Sequence, residues 1–190
     1  MEKELSEEDI NCKKYRELKE YSNLQTLIDN IPYIMMTFFG AVIFIVSFNM
    51  SLLGWIFGVL FILYGILGAF WIIIFVCPYC HYYDTKACPC GYGQIAGKFL
   101  SQKDGDLFFK KFRKHVPVLV PLWIIPVIVG LWSLITSFTW IMVTLIVIFA
   151  VDSFLILPLV SRRYGCAHCP QKDTCPWMGS RSSKRKSATA

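Results

Sequence analysis

The chain has 190 residues, of which 55% are hydrophobic and only 17% charged, with a mean hydropathy of +0.51. A soluble domain of this length buries its core with fewer apolar residues, so the excess belongs on a surface that faces hydrocarbon. The net charge of +6 at pH 7 comes without a base-stacking platform, which argues against a nucleic-acid reader.

Residues 1–30 are expected to form a cytoplasmic N-terminal helix. Ser6 with Asp9 makes a capping box, and Leu18, Tyr21, Gln25 and Ile28 share one helical face. The stretch is too acidic and polar for a signal peptide, so the first span is expected to act as an uncleaved anchor. Cys12 has no neighbouring cysteine and is read as incidental.

Residues 31–76 contain no Asp, Glu, Lys or Arg, and residues 116–161 contain one, Asp152. Each block is 46 residues long, ~69 Å as continuous helix at ~1.5 Å per residue. A hydrocarbon core of ~30 Å takes ~20 residues per pass, so each block folds into a hairpin of two spans. "FNMS" (48–51) and "TSFT" (136–139) supply the turns, placing spans near 31–50, 52–76, 117–136 and 139–160. The blocks lack the alternation of a β-barrel. The predicted fold is therefore an all-α integral membrane protein of four transmembrane helices, arranged as two hairpins.

Within the second span, Gly54, Gly58, Gly65, Gly68 and Ala69 fall in one arc of about 100°. Small residues on one face let another helix approach closely. The partner is another span of this chain or, through Gly54, Gly58 and Gly65, a second copy in a homodimer. In the third span Pro117 suits a first helical turn, whereas Pro121 and Pro126 lie deeper and are expected to bend the helix.

All 19 Lys and Arg lie before residue 31, between 77 and 115, or after 161. An even number of spans puts these three regions on one side, and the positive-inside bias makes that side the cytoplasm. The expected location is the plasma membrane, multi-pass, with both termini cytoplasmic. Residues 98–115 read as a basic linker in which Phe108, Phe109, Phe112 and Val116 oppose Lys110, Lys111, Arg113 and Lys114, as in a helix lying among lipid headgroups. Residues 180–190 read as a basic disordered tail able to touch anionic lipid.

Each hairpin is followed by a cysteine-rich loop, residues 77–97 and 162–179. "CPYCHYYDTKACPCG" and "CAHCPQKDTCPWMG" share C-x-x-C, an Asp-Thr pair (Asp84-Thr85, Asp173-Thr174) and a later Cys-Pro. Two spans per unit make this a parallel repeat, whose axis runs along the membrane normal. Cys77, Cys80 and Cys88 then correspond to Cys166, Cys169 and Cys175, with Cys90 extra.

The first loop is spelled for three chemistries. Cys77-Pro-Tyr-Cys80 resembles a redox dithiol, Cys77-x-x-Cys80-His81 a c-type haem attachment site, and the four cysteines a metal shell. Haem attachment conflicts with a cytoplasmic face. A reactive thiolate is favoured at a helix N-terminus, but Cys77 follows the C-terminal end of a span. Clustered thiols in a reducing compartment point instead to metal ligation by Cys77, Cys80, Cys88, Cys90, Cys166, Cys169 and Cys175. Thiolate-rich sites suit an iron–sulfur cluster and Zn2+ alike. Either each loop makes its own site, with His81 or His168 as a candidate fourth ligand, or the two C-x-x-C pairs meet around one ion.

Asp152 lies nine residues inside Ser161. A charge near the membrane centre costs ~2.5–3.5 kcal/mol on insertion scales, so such residues face the bundle interior. Two readings are expected for it: a neutral carboxyl bonded to a neighbouring hydroxyl such as Tyr64 or Thr144, or a candidate proton relay or cation ligand. No Ser–His or carboxylate pair suggests hydrolysis, and the chain reads as a redox subunit rather than a stand-alone enzyme. The leading expectation is iron–sulfur electron transfer at the membrane surface, from a cytoplasmic redox protein to a membrane partner or a lipid-soluble carrier. The alternative is a zinc-stapled scaffold or assembly factor, followed by soft-metal handling.

Overall fold

The structure, a computed structural model, describes the backbone of residues 20–166 and side chains through residue 163. Cys12, the Ser6–Asp9 box and Leu18 lie outside the described residues, as do His168, Cys169, Cys175 and the tail at 180–190. Every regular element among the described residues is helical, and four helical stretches are long and apolar enough to cross a membrane.

Helix α1 (Asn23–Ser47) begins earlier than the uncharged block does. Ser22 is extended, and its hydroxyl accepts the N–H of Gln25 while the Gln25 carboxamide accepts the N–H of Ser22. This reciprocal pair satisfies two otherwise orphaned donors. Among the described residues, Tyr21 and Ser22 are not helical, and the helix that runs into the first span starts at Asn23.

The first hairpin turns at Asn49 and Met50, both in the left-handed region (φ 51° and 54°). Met50 N–H donates to the Ile45 carbonyl at 2.9 Å, and Ser51 caps helix α2 (Leu52–Phe75) by accepting the N–H of Gly54. The glycines of α2 then meet α1. A β-carbon at Gly65 would lie 2.8 Å from Thr37 Cγ2, and one at Gly58 would lie 2.9 Å from Ile45 Cγ1. On α1, Gly40 does the same for the Phe61 ring. The small-residue face is therefore covered inside this chain and is not free for a homodimer through Gly54, Gly58 and Gly65.

After a linker holding α3 (Tyr92–Phe99) and α4 (Phe108–His115), a 3₁₀ turn (Val116–Leu119) leads into α5 (Val120–Thr136). This turn corrects the expected role of Pro121. It falls in the first turn of α5, where a missing N–H costs nothing, so only Pro126 sits buried within the helix.

Helix α6 (Trp140–Val151) returns across the bundle and then widens. Over Asp152–Ile156 the chain forms a π-helical turn, in which Leu157 N–H donates to the Asp152 carbonyl five residues back. One short α-helical turn, α7 (Leu157–Val160), separates it from a second π-helical stretch, Ser161–Cys166. Pro158 supplies the reason, because it has no N–H to continue an α-helical ladder.

Helix α1 is the hub, lying against α2, α5, α6 and the Asp152–Ile156 turn. Met36, Ile43, Leu122, Met142 and Phe149 are fully buried around it. The outward faces of α2, α5 and α6 carry exposed Leu, Ile, Phe and Trp side chains, as lipid-facing surfaces do.

Candidate metal centre

The first cysteine loop starts where α2 runs out. Val76 N–H closes the helix on the Ile72 carbonyl, and Cys77–Tyr79 follows as a 3₁₀ turn with Pro78 inside it. Cys80 N–H donates to the Cys77 carbonyl and Tyr83 N–H to that of Cys80, which folds C-x-x-C into consecutive turns. Thr85 then anchors the bend, its N–H and hydroxyl both donating to the Tyr82 carbonyl.

The second pair sits on a tight turn before α3. Gly91 N–H donates to the Cys88 carbonyl at 3.1 Å, and Gly91 takes a left-handed φ of 74°. Cys88 Sγ and Cys90 Sγ lie 3.7 Å apart, and Gly93 N–H donates to Cys88 Sγ at 3.2 Å. Gly93 itself is pressed against the preceding bend, for a β-carbon there would lie 2.3 Å from the Tyr82 carbonyl oxygen.

This packing tunes the thiols. The Cys90 thiol donating to Cys88 pulls the Cys88 pKa down to about 7, with the N–H groups of Gly93, Gly91 and Cys90 adding to the effect against burial. Cys90 holds the proton and is pushed up by the same hydrogen bond and by burial. Cys77 lies within electrostatic reach of Cys80, Cys88 and Cys90, so all four thiols belong to one neighbourhood, and none of them is joined in a disulfide.

The four are not drawn into a closed shell. Among the described residues, no group of three or more His, Cys, Asp or Glu side chains is placed to hold an ion. The Cys88–Cys90 pair is formed, while Cys77 and Cys80 stand near it. His81 has its ring edge 3.9 Å from where a Gly105 β-carbon would sit, against the linker. Cys166 ends the last described turn, and the rest of the second loop lies beyond it.

Residues outside the cysteine motif hold the loop. Asn30 on α1 donates from its carboxamide to the Cys90 carbonyl at 3.0 Å, Tyr21 N–H donates to the Lys86 carbonyl, and Lys103 N–H donates to the Pro78 carbonyl. Lys103 and Lys111 also bring their ammonium groups to 5.5 and 5.3 Å from the Tyr79 ring centroid. No local spacing announces Asn30, which is 60 residues from its partner. Ser22 was missed as well, although S-x-x-Q from Ser22 to Gln25 spells its capping box.

Asp152 does not pair as expected. Tyr64 donates to the Val118 carbonyl and Thr144 to the Trp140 carbonyl, so neither hydroxyl meets it. Asp152 and Ser153 are 7% and 2% exposed, yet among the described residues Asp152 Oδ2 and Ser153 Oγ have no hydrogen-bond partner, and neither does Trp123 Nε1. A β-carbon on Gly130 would touch both Ile146 and Ile43, which sets α5, α6 and α1 in register.

Comparison of the chain with protein-family models, with curated proteins and with solved structures gave no match.

Proposed function

We propose that Cys77, Cys80, Cys88 and Cys90 bind one zinc ion, which fastens the end of the first hairpin to the basic linker of a four-span membrane scaffold. The supporting observation is the Cys88–Cys90 sulfur separation of 3.7 Å. Two thiolates ~2.3 Å from one ion at the tetrahedral angle lie about 3.8 Å apart. A four-iron cubane takes one cysteine per iron and would spread these sulfurs further. The Gly93 N–H aimed at Cys88 Sγ is the outer hydrogen bond that stabilises a ligating thiolate.

The staple reading follows from what the loop joins. Cys77 follows the end of α2 and Cys90 precedes α3, while the Cys90 carbonyl is held by α1 and the Pro78 carbonyl by the linker. An ion at this point fixes three segments at once. Lys103 and Lys111 beside Tyr79 would offset the double negative charge of a zinc tetrathiolate. The concentration of Lys and Arg on the loop side supports a reading in which this face meets the reducing cytoplasm. The second loop is proposed as the matching site, with Cys166, Cys169 and Cys175 as ligands and His168 as candidate fourth.

A [2Fe–2S] centre also places two thiolates on one iron, so elemental analysis separates the staple from the electron carrier. The full chain is purified without oxygen and assayed for zinc, iron and labile sulfide. A colourless protein with at least one zinc per chain and no sulfide is expected. Iron with matching sulfide and visible absorption would replace the scaffold with the electron carrier.

A further inference from the structure

We propose that the bundle interior holds a monovalent-cation site, suited to Na+, built on the Asp152 carboxylate and the Ser153 hydroxyl at the π-helical turn. It rests on the four spans and is independent of the thiol centre.

Burial and pairing make the case together. Within hydrocarbon a polar side chain that faces the protein finds a partner or pays several kcal/mol. Asp152 Oδ2 and Ser153 Oγ are more than nine-tenths buried and have none among the described residues. Adjacent residues on an α-helix diverge by ~100°, yet both of these are turned inward. The wide turn is what packs Asp152–Ile156 against α1. Such turns recur at functional sites.

A backbone oxygen of the turn adds to the donor set. Leu157 N–H reaches back five residues to the Asp152 carbonyl. The next donor in that pattern would be Pro158, which has no N–H for the Ser153 carbonyl. Carboxylate, hydroxyl and carbonyl oxygens are the ligands of hard cations, and broken helices supply them to Na+ in membranes. Trp123, whose N–H can only donate, is not a ligand.

Charge and ligand number select the ion. One carboxylate neutralises one monovalent cation, whereas a divalent ion would leave a net charge in hydrocarbon. A short ligand list suits Na+ better than the larger K+.

The test uses the purified full chain and a hydrophobic carbodiimide, which modifies a protonated carboxyl in apolar surroundings. Bound Na+ displaces that proton. Labelling of Asp152, located by peptide mass, is expected to slow several-fold in NaCl relative to choline chloride of equal ionic strength, with KCl close to choline. Asp152→Asn should take no label, and Ser153→Ala should label but lose the sodium protection. Equal labelling rates in sodium and choline, or no labelling of Asp152 in either, would overturn the proposal. The wild-type comparison decides this without either variant.

Discussion

Gly93→Ala is expected to weaken zinc retention at the first loop while leaving the four spans helical. The added β-carbon would lie 2.3 Å from the Tyr82 carbonyl oxygen and 3.2 Å from Cys88 Cβ. Neither neighbour can yield cheaply. The Tyr82 carbonyl is held by the N–H and hydroxyl of Thr85, and Asp84 N–H donates to the Gly93 carbonyl at 3.1 Å. The loop must open, and the Gly93 N–H leaves Cys88 Sγ as it does so. Overpacking of this kind costs ~1–3 kcal/mol in ordinary cores, and here it also separates the halves of a ligand set. Zinc per chain and the thermal midpoint are the readouts, with helical circular dichroism as the control. Full zinc occupancy at an unchanged midpoint would mean that the Tyr82–Gly93 contact does not shape the site.

Cys88→Ser should have the larger effect. Cys88 is buried, pairs with Cys90, and receives the Gly93 N–H, so its sulfur is the best prepared of the four to ligate. A serine hydroxyl is a weak zinc ligand and leaves the others with three thiolates. Structural zinc is worth ~10–16 kcal/mol of apparent binding free energy in small peptides. Losing it should lower the midpoint more than any single packing change in the loop. Cys12→Ser, in a cysteine remote in sequence from both loops, should leave zinc and midpoint at wild-type values. The pair is scored by elemental analysis and by limited proteolysis between residues 80 and 90, where cleavage should appear only in Cys88→Ser.

The four spans were legible because nothing in residues 31–76 can be charged and residues 116–161 hold only Asp152. Hydrocarbon leaves a helix little other choice. The glycine face of α2 was legible too, but not its partner, since close approach reads the same whether the second helix is α1 or another copy. Pro121 was misjudged because a 3₁₀ lead-in moves the start of α5 past Pro117. The wide turn at Asp152 had a signal in Pro158, six residues on, which the smooth hydropathy of the span concealed. The expected hydroxyl partners of Asp152 were a matter of competition. Thr144 satisfies itself on the carbonyl four residues back, as mid-helix threonines do, and Tyr64 reaches another segment. At the candidate centre the spacing of Cys77, Cys80, Cys88 and Cys90 was plain, whereas Asn30 and Lys103 act through the folded chain.

The most direct test of the zinc staple is X-ray absorption at the zinc edge, made on the full chain with Cys166, Cys169 and Cys175 replaced by serine, so that the first loop alone reports. The expected spectrum has four sulfur neighbours at ~2.3 Å and no second metal. A shell containing nitrogen or oxygen in place of sulfur, or the absence of bound zinc in that variant, would show that Cys77, Cys80, Cys88 and Cys90 do not close around one ion.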